Sequence, residues 1–166
     1  MAENQSEPRL PPNATEAEQA LIGCLLIDND ALPRIMGMIT PESFYKPAHT
    51  KIFKSILDLF EKNETIDTIT VVEQIKKNGE LDAVGGAYYI SGLSTEIASS
   101  ENVEYYAQIV ADKFTLRTVI STSIELSTMA YEGSYEVHEI LDRAEQKLFA
   151  LSQNMQRGKF IPLEEM

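Results

Sequence analysis

Tryptophan is missing from the 166 residues, cysteine occurs once and histidine only twice. A single thiol, Cys24, excludes an internal disulfide and any metal site built from several cysteines. It fits a reducing compartment and reads as a small buried apolar residue. Cations are scarce too: 14 Lys and Arg against 26 Asp and Glu leave a formal charge of -12. Such a field repels phosphate, so tight nucleic-acid binding through a basic surface is not expected, while protein partners are unaffected. No apolar run approaches the roughly 20 residues that cross a bilayer, and no charged leader with a cleavage site opens the chain, so we expect a cytoplasmic protein without membrane association. The phosphate-binding pattern G-x-x-x-x-G-K-[ST] is also missing, and no clustered His, Cys or Ser signature supports an enzyme reading through carboxylates or His49. No catalytic residue, metal ligand or cofactor is expected in this chain.

Proline and glycine are absent from the stretch between Asn102 and Met129, whose apolar residues recur at helical spacing. The pattern predicts a helix of about seven turns. On a helical wheel, Val119 and Leu126 form one flank of its apolar surface, and Ile109, Leu116 and Ile120 the middle. Tyr106, Ile124, Val110 and Phe114 form the other flank, so the arc covers roughly 240° where one core contact needs about 100°. Two readings fit: packing against a partner helix and another subunit, or central burial in a monomer. The first nominates Tyr105, Tyr106, Ile109, Leu116, Ile120 and Ile124 as a subunit interface. After Gly133 as terminator and Ser134 as cap, a second helix returns antiparallel. Its Val137, Ile140, Leu141, Ala144, Leu148 and Leu151 make one stripe, read as one contact with the first helix.

The rest of the chain reads as an all-α globule. Residues 1–11 form a flexible arm by composition, 12–99 a helical globular domain, 100–152 the helical hairpin, and 153–166 the start of a linker. Thr15 and Glu18 have capping-box spacing ahead of a nearly all-apolar helix whose Gly23 implies a close neighbour. Asp28 to Asp30 cap a short helix, Thr40-Pro41-Glu42 and Pro47 start others, and Phe44 and Tyr45 supply core contacts. Ile52, Phe53, Ile56, Leu57 and Phe60 form a stripe, Asp67 or Thr68 caps a helix that stops at Asn78-Gly79, and Gly85-Gly86 is a tight turn. His49, a lone histidine, reads as a hydrogen-bonded structural residue.

Several ordered motifs resemble one family. Pro11-Pro12-Asn13 with Glu16-Ala17-Glu18, Gly23, Phe44-Tyr45 with Ala48-His49 and Ile52-Phe53, Ile66-Asp67, Thr70-Val71, Gly85-Gly86 with Tyr89, Asn102 with Tyr105-Tyr106, and Ile109-Val110 through Arg117 look like the N-terminal domain of DnaB-type bacterial replicative DNA helicases. The resemblance runs from about Leu10 to Leu151. It implies a helical globule and hairpin, six copies forming a collar as a trimer of dimers with paired hairpins, and a docking platform for primase and for a helicase loader. It further implies that the RecA-like ATPase, with its ATP, Mg and most of its DNA contacts, lies beyond Met166. Tyr89, Ile120 and Leu126 are the primase-docking candidates. The competing readings are a collar that contacts nucleic acid, which the charge disfavours, and an unrelated helical protein-interaction module.

Overall fold

The computed structural model describes residues 9–157, with side chains to Met155. Most of the arm (1–8) and of the linker (158–166) therefore lies outside the described residues. Among those described there are seven α-helices and no strand, only an isolated bridge between Met36 and Ile39. The helices are α1 (Thr15–Ile27), α2 (Ala31–Ile35), α3 (Pro47–Glu61), α4 (Thr68–Lys77), α5 (Gly86–Thr95), α6 (Val103–Glu132) and α7 (Val137–Arg157), with a 3-10 turn at Pro41–Ser43. The fold is all-α, a helical globule followed by an antiparallel hairpin.

Leu21, Ile22, Cys24, Leu25 and Leu26 are all buried, because α1 is apolar on every side and meets α2, α3, α5 and α6 at once. A helix that is hydrophobic all round is a core helix. Gly23 lets α5 press against it: a Cβ there would overlap the Leu93 carbonyl oxygen and Ile97 Cγ1. Burial pushes the Cys24 thiol pKa up, as expected of an inert core cysteine. From α3, Ile52, Phe53, Ile56 and Leu59 complete the centre; Phe60, assigned to the stripe from sequence, is instead partly exposed.

Glu18 does not build the expected capping box. Ala14 is the N-cap of α1, Thr15 is already helical, and the Glu18 side chain turns inward until almost none of it is exposed. Its carboxylate accepts from the backbone N–H groups of Tyr45 (2.8 Å) and Lys46 (3.3 Å), which precede α3, and from His49 Nδ1 (2.8 Å). An anion at a helix start satisfies donors that the helix leaves open and meets the positive end of its dipole. His49 Nε2 lies 2.7 Å from the Tyr89 hydroxyl, so one fully buried imidazole ties α1, α3 and α5 together. The structural role expected of His49 holds, through partners that sequence spacing did not reveal.

Elsewhere the local chemistry follows the pattern. Asp67 accepts from Thr70 N while the Thr70 hydroxyl accepts from Asp67 N, and Gly79, Gly85 and Gly133 take positive φ at the expected stops and turns. The expected side-chain cap of α2 does not form, since Asp30 is its N-cap and makes no capping bond; Asp28 instead accepts from Asp30 N and from the Ser100 hydroxyl, and the latter bond chiefly holds its carboxyl below the usual range. Arg34 donates to Glu104 (3.2 Å) and to the Ser100 and Glu101 carbonyls, fastening α2 to the start of α6. The expected division at residue 100 describes chain order and not packing, since Val103, Ala107 and Val110 of α6 belong to the globule's core. Likewise α7 continues to Arg157, past the expected end of the hairpin at 152.

Two substitutions probe this packing. Gly23→Ala should destabilise by about 1–3 kcal/mol, because α5 must move to admit the methyl. The buried Ser55 hydroxyl has no hydrogen-bond partner, so Ser55→Ala should be neutral or stabilising by up to about 1 kcal/mol. Urea unfolding of both variants checks the two signs.

Candidate interaction surface

The thirty residues of α6 meet three environments in turn. Its first two turns bury Val103, Ala107 and Val110 against the globule. At mid-length Arg117 donates through Nη1 to Pro12 O and through Nη2 to Ser43 O, both at 2.8 Å. Its guanidinium lies 5.4 Å from the Tyr45 ring and 5.8 Å from the Phe114 ring. Burial lowers the Arg117 pKa from its ordinary value, and the guanidinium stays charged. Tyr45, expected in the core, is thus a partly exposed plate under Arg117.

Beyond Arg117 the neighbour is α7. Glu125 accepts from Arg143 Nε (2.6 Å) and pairs with Lys147 Nζ (2.9 Å), an ionic clasp across the hairpin. The Lys147 and Arg143 hydrogen bonds hold the Glu125 carboxyl below the usual range. At the start of α7 the Glu136 N–H is accepted by the Glu139 carboxylate at 2.9 Å, so Glu139 supplies the side-chain contact expected of Ser134.

Neither contact covers the far side of α6. Tyr105 (66% exposed), Leu116 (48%), Ile120 and Ile124 (62%) stay open to solvent together with Val119. On the wheel these five span roughly 140°, nearly opposite Glu125. Tyr106 and Ile109, nominated with them, are half-buried, and Tyr106 packs on the globule's core. Of the docking candidates, Ile120 lies in the open stripe and Leu126 is half-buried beside it. Tyr89 stands apart on α5, half-buried, its hydroxyl committed to His49 and its ring 5.2 Å from Lys46 Nζ.

The second helix departs from expectation. Its stripe is not used up by α6: Val137 (73%), Leu141, Leu148 (57%) and Met155 are exposed, while Ile140, Ala144 and Leu151 are half-buried. Residues 137, 141, 144, 148, 151 and 155 alternate steps of four and three, the a/d spacing of a seam. That spacing is visible in the sequence. α6 covers only part of the stripe, and the rest faces solvent. Exposed Phe149, Tyr131 and Tyr135 were not anticipated either.

No group of three or more His, Cys, Asp or Glu that could hold a metal occurs among the described residues, and none of their helices is long and apolar enough to cross a membrane. Fold and surface together define an all-α helical head followed by a hairpin that leaves contiguous apolar faces uncovered. Residues 10–112 match the model of the DnaB-like helicase N terminal domain, and the chain belongs to that family. It is 42% identical over 149 residues to the replicative DNA helicase DnaB of Rhodothermus marinus, covering 90% of this chain and 16% of that protein. It is 36% identical to the Geobacillus stearothermophilus replicative DNA helicase DnaB, over 100% of this chain and 36% of that one. The chain therefore spans about a third or less of these relatives. A crystal structure of the N-terminal domain of DnaB helicase from Mycobacterium tuberculosis superposes with a TM-score of 0.80 at 33% identity, covering 85% of this chain and 99% of that one. A DnaB-like replicative helicase, described with its interactions with primase, shares the fold at TM-score 0.69 and 21% identity, over 86% of this chain and 35% of that one.

The clasp makes a pH prediction. A carboxyl whose folded pKa lies below its unfolded value stabilises above the unfolded value and loses that contribution as pH falls through the folded one. Thermal unfolding of the parent and Glu125→Gln should differ at neutral pH. The difference should shrink from just below the ordinary glutamate pKa and vanish once the lowered value is passed.

Proposed function

We propose that this chain is the N-terminal collar domain of a hexameric replicative DNA helicase, non-catalytic itself, and that it serves subunit assembly and primase docking. The observation that supports this reading is the apolar stripe of α6 left open opposite α7. At about 25 cal/mol per Å² of apolar area, keeping several such side chains in water forgoes several kcal/mol, a large share of a domain's net stability. In a symmetric assembly the stripe is covered by its own counterpart, and hairpin pairing into dimers, three to a ring, is the arrangement the family resemblance implies. The ATPase, with ATP, Mg and the main DNA contacts, belongs to the part of the helicase beyond this chain, acting in the cytoplasm; a helicase loader is a further partner.

Sedimentation of the isolated chain should show concentration-dependent self-association, weakened at least tenfold by Ile120→Asp or Ile124→Asp without loss of helical content. A strictly monomeric parent at high concentration would remove the assembly reading. For docking, titration with primase should show weaker binding after Ile120→Ala, Leu126→Ala or Tyr89→Ala. The last variant also removes a partner of His49, so its fold is checked by circular dichroism. Unchanged affinity in all three would withdraw these positions.

A further inference from the structure

Glu18, His49 and Tyr89 form a chain of hydrogen bonds that runs outward from the core. Glu18 and His49 are buried, whereas Tyr89 on α5 is half-buried. The Tyr45 and Lys46 N–H groups fix the Glu18 carboxylate, which accepts from His49 Nδ1 at 2.8 Å. With the proton on Nδ1, the neutral ring presents Nε2 as an acceptor, and it lies 2.7 Å from the Tyr89 hydroxyl. The two ring planes are within 6° of parallel but their centroids are 6.1 Å apart, so the rings meet at their edges, through that bond. Gln19 Nε2 lies 3.4 Å from the same hydroxyl, and Lys46 Nζ is 5.2 Å from the Tyr89 ring centroid. A buried carboxylate that orients an imidazole, which in turn accepts from a hydroxyl, is the arrangement by which proteins activate an oxygen nucleophile.

We propose that Tyr89 is a covalent modification site, an acyl-acceptor tyrosine whose hydroxyl is activated by His49, with Glu18 as the positioning residue and acyl phosphates as the donor class. Tyr89 Oη attacks the acyl carbon, the bond from that carbon to the phosphate oxygen breaks, and phosphate leaves with the bonding pair. The phenolic proton passes to His49 Nε2 and from there to the departing phosphate, so the products are an aryl ester and hydrogen phosphate. Lys46 is the cation placed to attract the anionic donor and its leaving group. No oxidant or metal is needed. Once acylated, the tyrosine has no proton to give, and a fully buried imidazole nitrogen loses its partner. Modification at the surface of α5 would thereby undo the polar tie that joins α5 to α1 and α3.

The chain carries its own controls, because Tyr88 (93% exposed) and Tyr131 (92%) are far more accessible than Tyr89. With N-acetylimidazole, followed by peptide mass spectrometry, accessibility alone would make Tyr89 the slowest of the three. The proposal expects it to be acetylated about tenfold faster than either, within the range of base assistance, and hydroxylamine to reverse the ester. Exposed phenols react through the phenolate, whose share rises about tenfold per pH unit below about pH 10. Tyr89, with a base in place, should show a shallower slope. His49→Gln should bring Tyr89 down to the controls or below without changing their rates, and Glu18→Gln should act in the same direction, with folding checked by circular dichroism. With acetyl phosphate as donor, Lys46→Gln should slow Tyr89 severalfold while leaving its N-acetylimidazole rate unchanged. In the parent, a Tyr89 rate no higher than that of Tyr88, or the same pH slope for both, would overturn the proposal even if every variant misfolded. An unaltered Tyr89 rate in folded His49→Gln would do the same, and no effect of Lys46→Gln would overturn the donor class.

Discussion

A thirty-residue helix is about 45 Å long, whereas a globule of about ninety residues is only about 30 Å across. That mismatch governs this molecule. The globule covers the first turns of α6, and the rest of the helix has to find neighbours elsewhere. One is α7, joined by the Gly133 turn and the Glu125 clasp. It covers one side only, because two helices in contact hide one face of each. An apolar arc of roughly 240° cannot be satisfied by a globule at one end and a single helix along one flank. The uncovered stripe follows from geometry.

The globule is organised differently, around a charge taken out of water. Burying a carboxylate is tolerable only where donors replace its hydration. Glu18 receives three, two of them backbone groups ahead of α3. Because His49 then reaches Tyr89, the network sets α1, α3 and α5 in one relative position, while Gly23 sets how closely α5 lies on α1. The head's helices are thereby cross-linked through one buried polar network.

Short-range chemistry was well written in the residues. Pro47, the Asp67–Thr70 box, Gly79, Gly85 and Gly133 act within one turn of where they stand, and the structure uses each as the local rules require. Glu18 shows where such reading stops. Its spacing from Thr15 matches a capping box, but the partners it takes are about thirty residues away, and only the packed chain can supply them. Ser134 and the α7 stripe make the same point: the Glu136 N–H is taken by Glu139, and α6 covers only part of the seam.

The order and type of the elements, the long helix with more apolar surface than one neighbour can hide, and membership of the family were set by the sequence alone, because periodicity, caps and ordered motifs are local properties. Tertiary structure alone decided which part of that surface stays open, that Tyr106 belongs with the head while Ile124 does not, that α7 keeps an exposed seam, and that Arg117 stands at the junction. Those facts depend on the relative placement of helices, which is settled by shape and by pairings between residues far apart in the chain.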